Sequence, residues 1–145
     1  MITVIGAGKV GSEAAFDILR YSLGDVVLID TNEKAAQGEA LDMMQAAPAI
    51  EFDGKIRGTS SFREMQDSEL VIVTAGLGRR PDMTRFDLMN TNAQIVMSIV
   101  KEVVKYAPKS KLMIVSNPVD VMTYRHLVIV DPAESVKALA ARIQK

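Results

Sequence analysis

The chain has 145 residues, enough for one compact domain, and its 48% hydrophobic and 24% charged residues make a globular composition rather than a disordered one. Lys and Arg total 17 against 18 Asp and Glu, a net charge of −1, so there is no basic excess to attract nucleic acid or an anionic membrane surface, and neither is expected as a partner. The absence of Cys excludes disulfides, thiolate catalysis and Cys-ligated metal, and a single histidine, His126, excludes a His-rich metal site.

Ile2–Ile5 is the first of five short, nearly unbroken apolar runs, each predicted to be a strand. It enters the glycine-rich stretch Gly6-Ala7-Gly8-Lys9-Val10-Gly11, and Gly11–Ser22 follows as a helix. Ala14, Ala15, Ile18 and Leu19 take one side of that helix, and Glu13, Asp17 and Arg20 the other. Val26–Ile29 is the second strand and ends at Asp30. Glu33–Ala47 reads as a weaker helix with Ala36, Ala40, Leu41 and Met44 inward, in which Gly38 costs about 1 kcal/mol relative to Ala. Lys55–Thr59 has Ile56 as its only large apolar residue and is assigned to a sheet edge.

Leu70–Val73 is the next strand. The longest helix runs from Thr84 to Tyr106, with Leu88, Asn92, Ile95, Val96, Ile99, Val100, Val103 and Val104 repeating at three and four. Thr84 and Asp87 are placed for a capping box, and Pro108 stops the helix. Leu112–Val115 and Leu127–Val130 are the last two apolar runs. Asp131-Pro132-Ala133-Glu134 then has the pattern of a helix start, and Val136, Leu139, Ala140 and Ile143 form its inward stripe.

Apolar runs of this length suit strands covered on both faces, as in a parallel sheet. Alternating strands and helices require right-handed crossovers, which put helices on both sides. The expected architecture is therefore α/β: a doubly wound parallel sheet in the order 3-2-1-4-5-6, as one domain over residues 1–145. No apolar run approaches the roughly 20 residues of a membrane-spanning helix. The glycine motif begins too early for a leader peptide ahead of it, so a cytoplasmic protein is expected.

The G-x-G-x-x-G pattern alone is a weak signal, but here a strand precedes it, a helix follows, and a second strand ends in an acidic residue. Gly6 allows the tight turn, Gly8 lets backbone approach a pyrophosphate, and Gly11 allows close helix–sheet packing. The amides and dipole at the helix start favour the anionic ligand. Asp30, nineteen residues beyond Gly11, can accept from both hydroxyls of the adenosine ribose and would repel a 2′-phosphate. NAD is therefore expected over NADP. The competing interpretation is a structural glycine turn beside an ordinary strand-end aspartate, with Lys9 a solvated loop charge.

Three further stretches resemble the lactate/malate dehydrogenase family, in particular its lactate-dehydrogenase-like malate dehydrogenases. They are Gln37-Gly38-Glu39-Ala40-Leu41-Asp42, the arginine-rich run from Thr74-Ala75-Gly76-Leu77-Gly78-Arg79 to Arg85, and Asn117-Pro118-Val119-Asp120-Val121-Met122-Thr123-Tyr124. With the amino-terminal motif the resemblance covers residues 1–124. It implies that Gly6, Gly8, Lys9, Val10, Gly11, Asp30, Thr74, Ala75, Gly76 and Asn117 contact the cofactor. It also implies that Arg79 binds the distal carboxylate of a dicarboxylate substrate, that Arg85 polarises the reacting carbonyl, and that Asn117 touches substrate. A planar guanidinium suits both arginine tasks. Arg80 and Asp82 stand where the family pattern has Lys and Gly, and Asp82 introduces an anion into an anion-recognising run.

The family resemblance also calls for a histidine–aspartate base and a further arginine from a carboxy-terminal half, and none of these has a counterpart in the 145 residues. Residues 125–145 depart from the family and read as a closing strand and helix, the composition expected of a cofactor domain joined by design to a capping unit. His126 precedes Leu127–Val130, at the strand end opposite the expected ligand site, and Asp131 reads as a helix cap. Three readings follow: an NAD-binding module without turnover, an enzyme active with partner help, and a scaffold that only folds. Surface left uncovered by a missing half makes self-association an expectation as well.

Overall fold

The computed structural model describes residues 1–78 and 83–117. Five strands, β1 (Ile2–Ile5), β2 (Val26–Ile29), β3 (Ile56–Thr59), β4 (Leu70–Val73) and β5 (Lys111–Ile114), pair in parallel in the order β3-β2-β1-β4-β5. This is the expected doubly wound order as far as five strands take it. The run Leu127–Val130, the helix predicted after it, His126 and Asp131 lie outside the described residues. Among the described residues there are three helices, α1 (Lys9–Arg20), α2 (Glu33–Ile50) and α3 (Arg85–Tyr106), with a 3-10 turn at Phe62–Met65.

The strands lack polar alternation because both faces of the sheet are covered. Val4, Leu28 and Ile72 point to one side, where Ala15, Ile18 and Leu19 of α1 and Ala36, Ala40 and Met43 of α2 pack on them. Ile5, Val27, Ile29, Val71 and Val73 point to the other, against Val96, Val100 and Val103 of α3. Central β1 is paired on both edges and its side chains are nearly all buried. Edge strand β3 buries only Ile56, as its composition predicted.

Several boundaries differ from the sequence reading by one to three residues. Helix α1 starts at Lys9 rather than Gly11, because Gly8 already serves as its N-cap. Strand β5 is displaced by one residue, to begin at Lys111. Helix α2 runs on through Pro48 to Ile50 and ends at Glu51, in the left-handed conformation at φ 55°. A proline this close to a helix end removes one backbone bond without blocking the turn that follows.

The inward face of α2 also differs. Ala36, Ala40 and Met43 are buried, whereas Leu41 and Met44, expected inside, are 58% and 38% exposed. Spacings of four and three from Ala36 run along a single stripe, and Leu41 and Met44 sit one position off it. Helix α3 carries the predicted capping box, with Thr84 accepting from the Asp87 amide and the Asp87 carboxylate accepting from the Thr84 amide.

Two glycines of this frame should respond oppositely to alanine. A Cβ at Gly38 would meet nothing within 4 Å, while one at Gly58 would run into the Ala36 carbonyl of α2. Gly38→Ala should raise unfolding free energy by about 0.5–1 kcal/mol through helix propensity. Gly58→Ala should lower it by about 1–3 kcal/mol through overpacking. Urea denaturation midpoints at constant m-value test both signs.

Candidate functional site

All five strands begin and end level, so the loops leaving their carboxyl ends lie along one crest. The glycine loop leaves β1 here. Gly6 takes φ 112°, which turns the chain back sharply, and a Cβ on it would meet the Ala75 amide and the Thr74 hydroxyl at 2.8 Å. Gly11 is tighter still: its Cβ would collide with the Gly6 carbonyl oxygen and lie 2.7 Å from Thr74 Oγ1. A Cβ on Gly8 would meet nothing within 4 Å. Gly6 and Gly11 thus lock the helix onto the loop, and Gly8 faces open space.

That open space is the amino end of α1. Its first helical bond runs from the Ser12 amide to the Gly8 carbonyl at 2.8 Å, so the amides of Lys9, Val10 and Gly11 precede the helical ladder. No side chain caps this end and no acidic residue occupies its first turn. The partial positive charge there is left for an external anion.

Asp30, just past β2, faces the same loop. Its Oδ2 accepts the Ala7 amide at 2.7 Å, and its Oδ1 accepts the Asn32 amide at 2.8 Å and the Thr31 hydroxyl at 3.4 Å. One amide of the glycine loop is therefore committed to Asp30 itself and not to a ligand. The carboxylate is half-buried and held in place, with acceptor capacity remaining on each oxygen. Asn32 in turn caps α2 by accepting from the Ala35 amide at 3.3 Å.

Two cavities lie along the crest and share Thr74, Gly76 and Leu77. The first, about 490 Å³, runs from Gly6, Gly8 and Asp30 to an apolar end formed by Ile29, Phe62, Ile95 and Ile99. The second, about 570 Å³, is lined by Arg85, Leu88, Asn92, Ser116 and Asn117. The change in lining between them, with apolar side chains and the α1 end in the first and polar groups in the second, suits a ligand with an apolar part and a charged part.

Of the residues singled out by sequence, Gly6, Gly8, Asp30, Thr74, Ala75, Gly76, Arg85 and Asn117 line one or both cavities. Lys9 and Val10 stand exposed on the first turn of α1, and Gly11 is buried behind it. Arg79, Arg80 and Asp82 lie outside the described residues. Thr74 has a structural task in addition, since its hydroxyl reaches the carbonyls of Ile5 and Gly6 at 3.2 and 3.1 Å.

Two crest residues were missed as site residues. Buried Ser116 donates to the Ala75 carbonyl at 2.7 Å, tying the loop after β5 to the loop after β4. Asn92 was assigned only to the apolar stripe of α3. Its signal was an amide among Leu, Ile and Val, because a buried polar group needs partners. Among the described residues no cluster of His, Cys, Asp and Glu is arranged for a metal ion, and no helix is long and apolar enough to cross a membrane.

Comparison with known proteins gives one consistent result. Residues 1–133 match the family model for the lactate/malate dehydrogenase NAD binding domain. Malate dehydrogenases of Bacillus israeli and Oceanobacillus iheyensis are 48% and 49% identical over 125 residues, 85% of this chain and 40% of theirs. The chain thus spans about 40% of the length of the curated relatives it matches. The apo structure of the Picrophilus torridus malate dehydrogenase superposes with a TM-score of 0.82 at 40% identity, covering 85% of this chain and 40% of that one. The Archaeoglobus fulgidus malate dehydrogenase in complex with NADH superposes at 0.80 and 45% identity, over 86% of this chain and 43% of that one.

The geometry separates the motif glycines by task. Gly11→Ala should cost at least about 2 kcal/mol of stability because the Gly6 carbonyl cannot move away. Gly8→Ala, at φ −81° in extended backbone, should cost no more than about 1 kcal/mol. Thermal unfolding of the two variants side by side measures the difference.

Proposed function

Because the chain belongs to the lactate/malate dehydrogenase family and matches its NAD-binding domain, we propose that it binds NAD(H) along the crest and does not by itself turn over a hydroxy acid. The observation that carries the reading is that Gly8, the N-cap of the α1 end that no side chain caps, and the immobilised Asp30 carboxylate line the same cavity. The free amides of Lys9 and Val10 would hold the pyrophosphate, with Gly8 admitting it closely. Asp30 would accept from the adenosine ribose hydroxyls, and the apolar end at Ile29, Phe62 and Ile99 suits the adenine.

The nicotinamide end would enter the second cavity, between Thr74, Gly76, Ser116 and Asn117. NAD supplies the hydride acceptor when bound. Arg85, on the first turn of α3 and lining that cavity, would meet the oxygen of a carbonyl or carboxylate. A dicarboxylate of the malate or oxaloacetate class is the substrate chemistry proposed for it, with Arg79 as its second contact. Proton transfer is the missing part: no residue of the 145 matches the base that the family resemblance requires, and such a group is typically worth 10²–10⁴-fold in rate.

NADH fluorescence should titrate saturably with this chain. Asp30→Ala should weaken binding about tenfold or more, since hydrogen bonds to a charged acceptor contribute about 1.5–3 kcal/mol each. NADPH should bind more weakly than NADH to the unmodified chain and recover relative to it in Asp30→Ala. Unchanged NADH affinity in a folded Asp30→Ala variant would refute the ribose contact. Oxaloacetate-dependent NADH oxidation should be undetectable, and saturable turnover abolished by Arg85→Ala would overturn that part.

A further inference from the structure

Asn92 is 3% exposed on a helix face otherwise made of Val, Ile and Ala, and all of its partners lie in two loops of the crest. Its Oδ1 accepts the Leu77 amide at 2.7 Å. Its Nδ2 donates to the Leu77 carbonyl at 3.3 Å and to the Asn117 carbonyl at 3.1 Å. The side-chain amide therefore pairs with both backbone groups of one residue beyond β4, and spends its remaining hydrogen on a residue beyond β5. A Cβ on Gly76 would sit 3.3–3.4 Å from the Oδ1, Cγ and Nδ2 atoms of Asn92, so the chain before Leu77 passes closely over the amide.

Neither loop has regular structure of its own at these positions. Leu77 is 41% exposed, so little apolar burial holds it, and the Asn92 amide supplies both of its backbone partners. Leu77, Asn92 and Asn117 all line the second cavity. One planar group with three bonds thus fixes the two loops relative to each other at its wall. Ser116, through the Ala75 carbonyl, is a second tie between the same loops.

We infer that Asn92 is a positioning residue that holds the loops after β4 and β5 at the separation required by the nicotinamide half of the cofactor, leaving the adenosine half unaffected. The inference rests on the NAD(H) reading above for what enters the cavity, while the clamp itself is a property of the cofactor-free chain. A buried amide stripped of its partners, or partners stripped of their amide, loses fixed geometry before it loses fold, because Val96, Val100 and Val103 still anchor α3.

Two measurements on the 145-residue chain separate these points. In the cofactor-free protein, hydrogen exchange of the Leu77 amide should be protected and should accelerate at least tenfold in Asn92→Leu. Asn92→Asp keeps an acceptor for that amide but loses both donated bonds, so it should accelerate exchange less. In binding, ADP probes the adenosine diphosphate half and NADH the whole cofactor. Both variants should bind ADP within twofold of the parent but NADH at least fivefold more weakly. A double-mutant cycle with Ser116→Ala should be non-additive for NADH. Equal weakening of ADP and NADH would assign Asn92 to fold stability alone. Unchanged NADH binding, or additivity with Ser116→Ala, would overturn the positioning role. Failure of ADP to bind the parent chain, with Leu77 still protected, would refute the cofactor reading and leave the clamp standing.

Discussion

The structure depends on a contact that leaves no room for a side chain: the start of α1 against the carbonyl of Gly6. Burying backbone against backbone at that point brings the helix close enough to the sheet for Ala15, Ile18 and Leu19 to reach Val4 and Leu28. It also points the first-turn amides outward over the strand ends. Packing and ligand recognition therefore share one steric requirement, and Thr74 reinforces it by bonding to the carbonyls of Ile5 and Gly6 from the neighbouring strand.

From this contact the polar parts of the crest are tied in sequence. Asp30 holds the Ala7 amide, Thr74 holds Gly6, Ser116 holds Ala75, and Asn92 holds Leu77 and Asn117. Each tie joins a loop to a different element from the one that carries it, so the loops inherit the rigidity of the sheet. Groups fixed beforehand spend less entropy when a ligand arrives, so less of the binding free energy is lost to ordering them.

Much of this was legible beforehand, for identifiable reasons. Strands buried on both faces write themselves as unbroken Val and Ile, so β1, β2 and β4 fall where their apolar runs do. The spacing of Gly6, Gly8 and Gly11 carries three different expectations: Gly6 and Gly11 each sit where a Cβ would collide, and Gly8 faces open space. What stayed hidden depended on neighbours. Leu41 and Met44 are as apolar as Met43, and only the direction of the sheet decides which of them is buried. Asn92 is similar: an asparagine in an apolar stripe announces a need for partners but not who they are, because Leu77 and Asn117 lie 15 and 25 residues away.

The parallel strands run in strict register, with Ile5 level with Ile29 and Val73, and Val73 level with Ile114. Length variation is consequently not equally tolerable at the two ends of this sheet. One residue inserted within a strand would lift its loop by about 3.3 Å and turn the following side chains to the opposite face, displacing the ends it must meet. Changes in chain length should be tolerated better in the connections entering the strands, where Leu23, Gly24, Asp53 and Gly54 lie at the opposite end of the sheet from Gly6, Asp30 and Thr74. The sheet acts as a ruler, with graduations cut on one margin only.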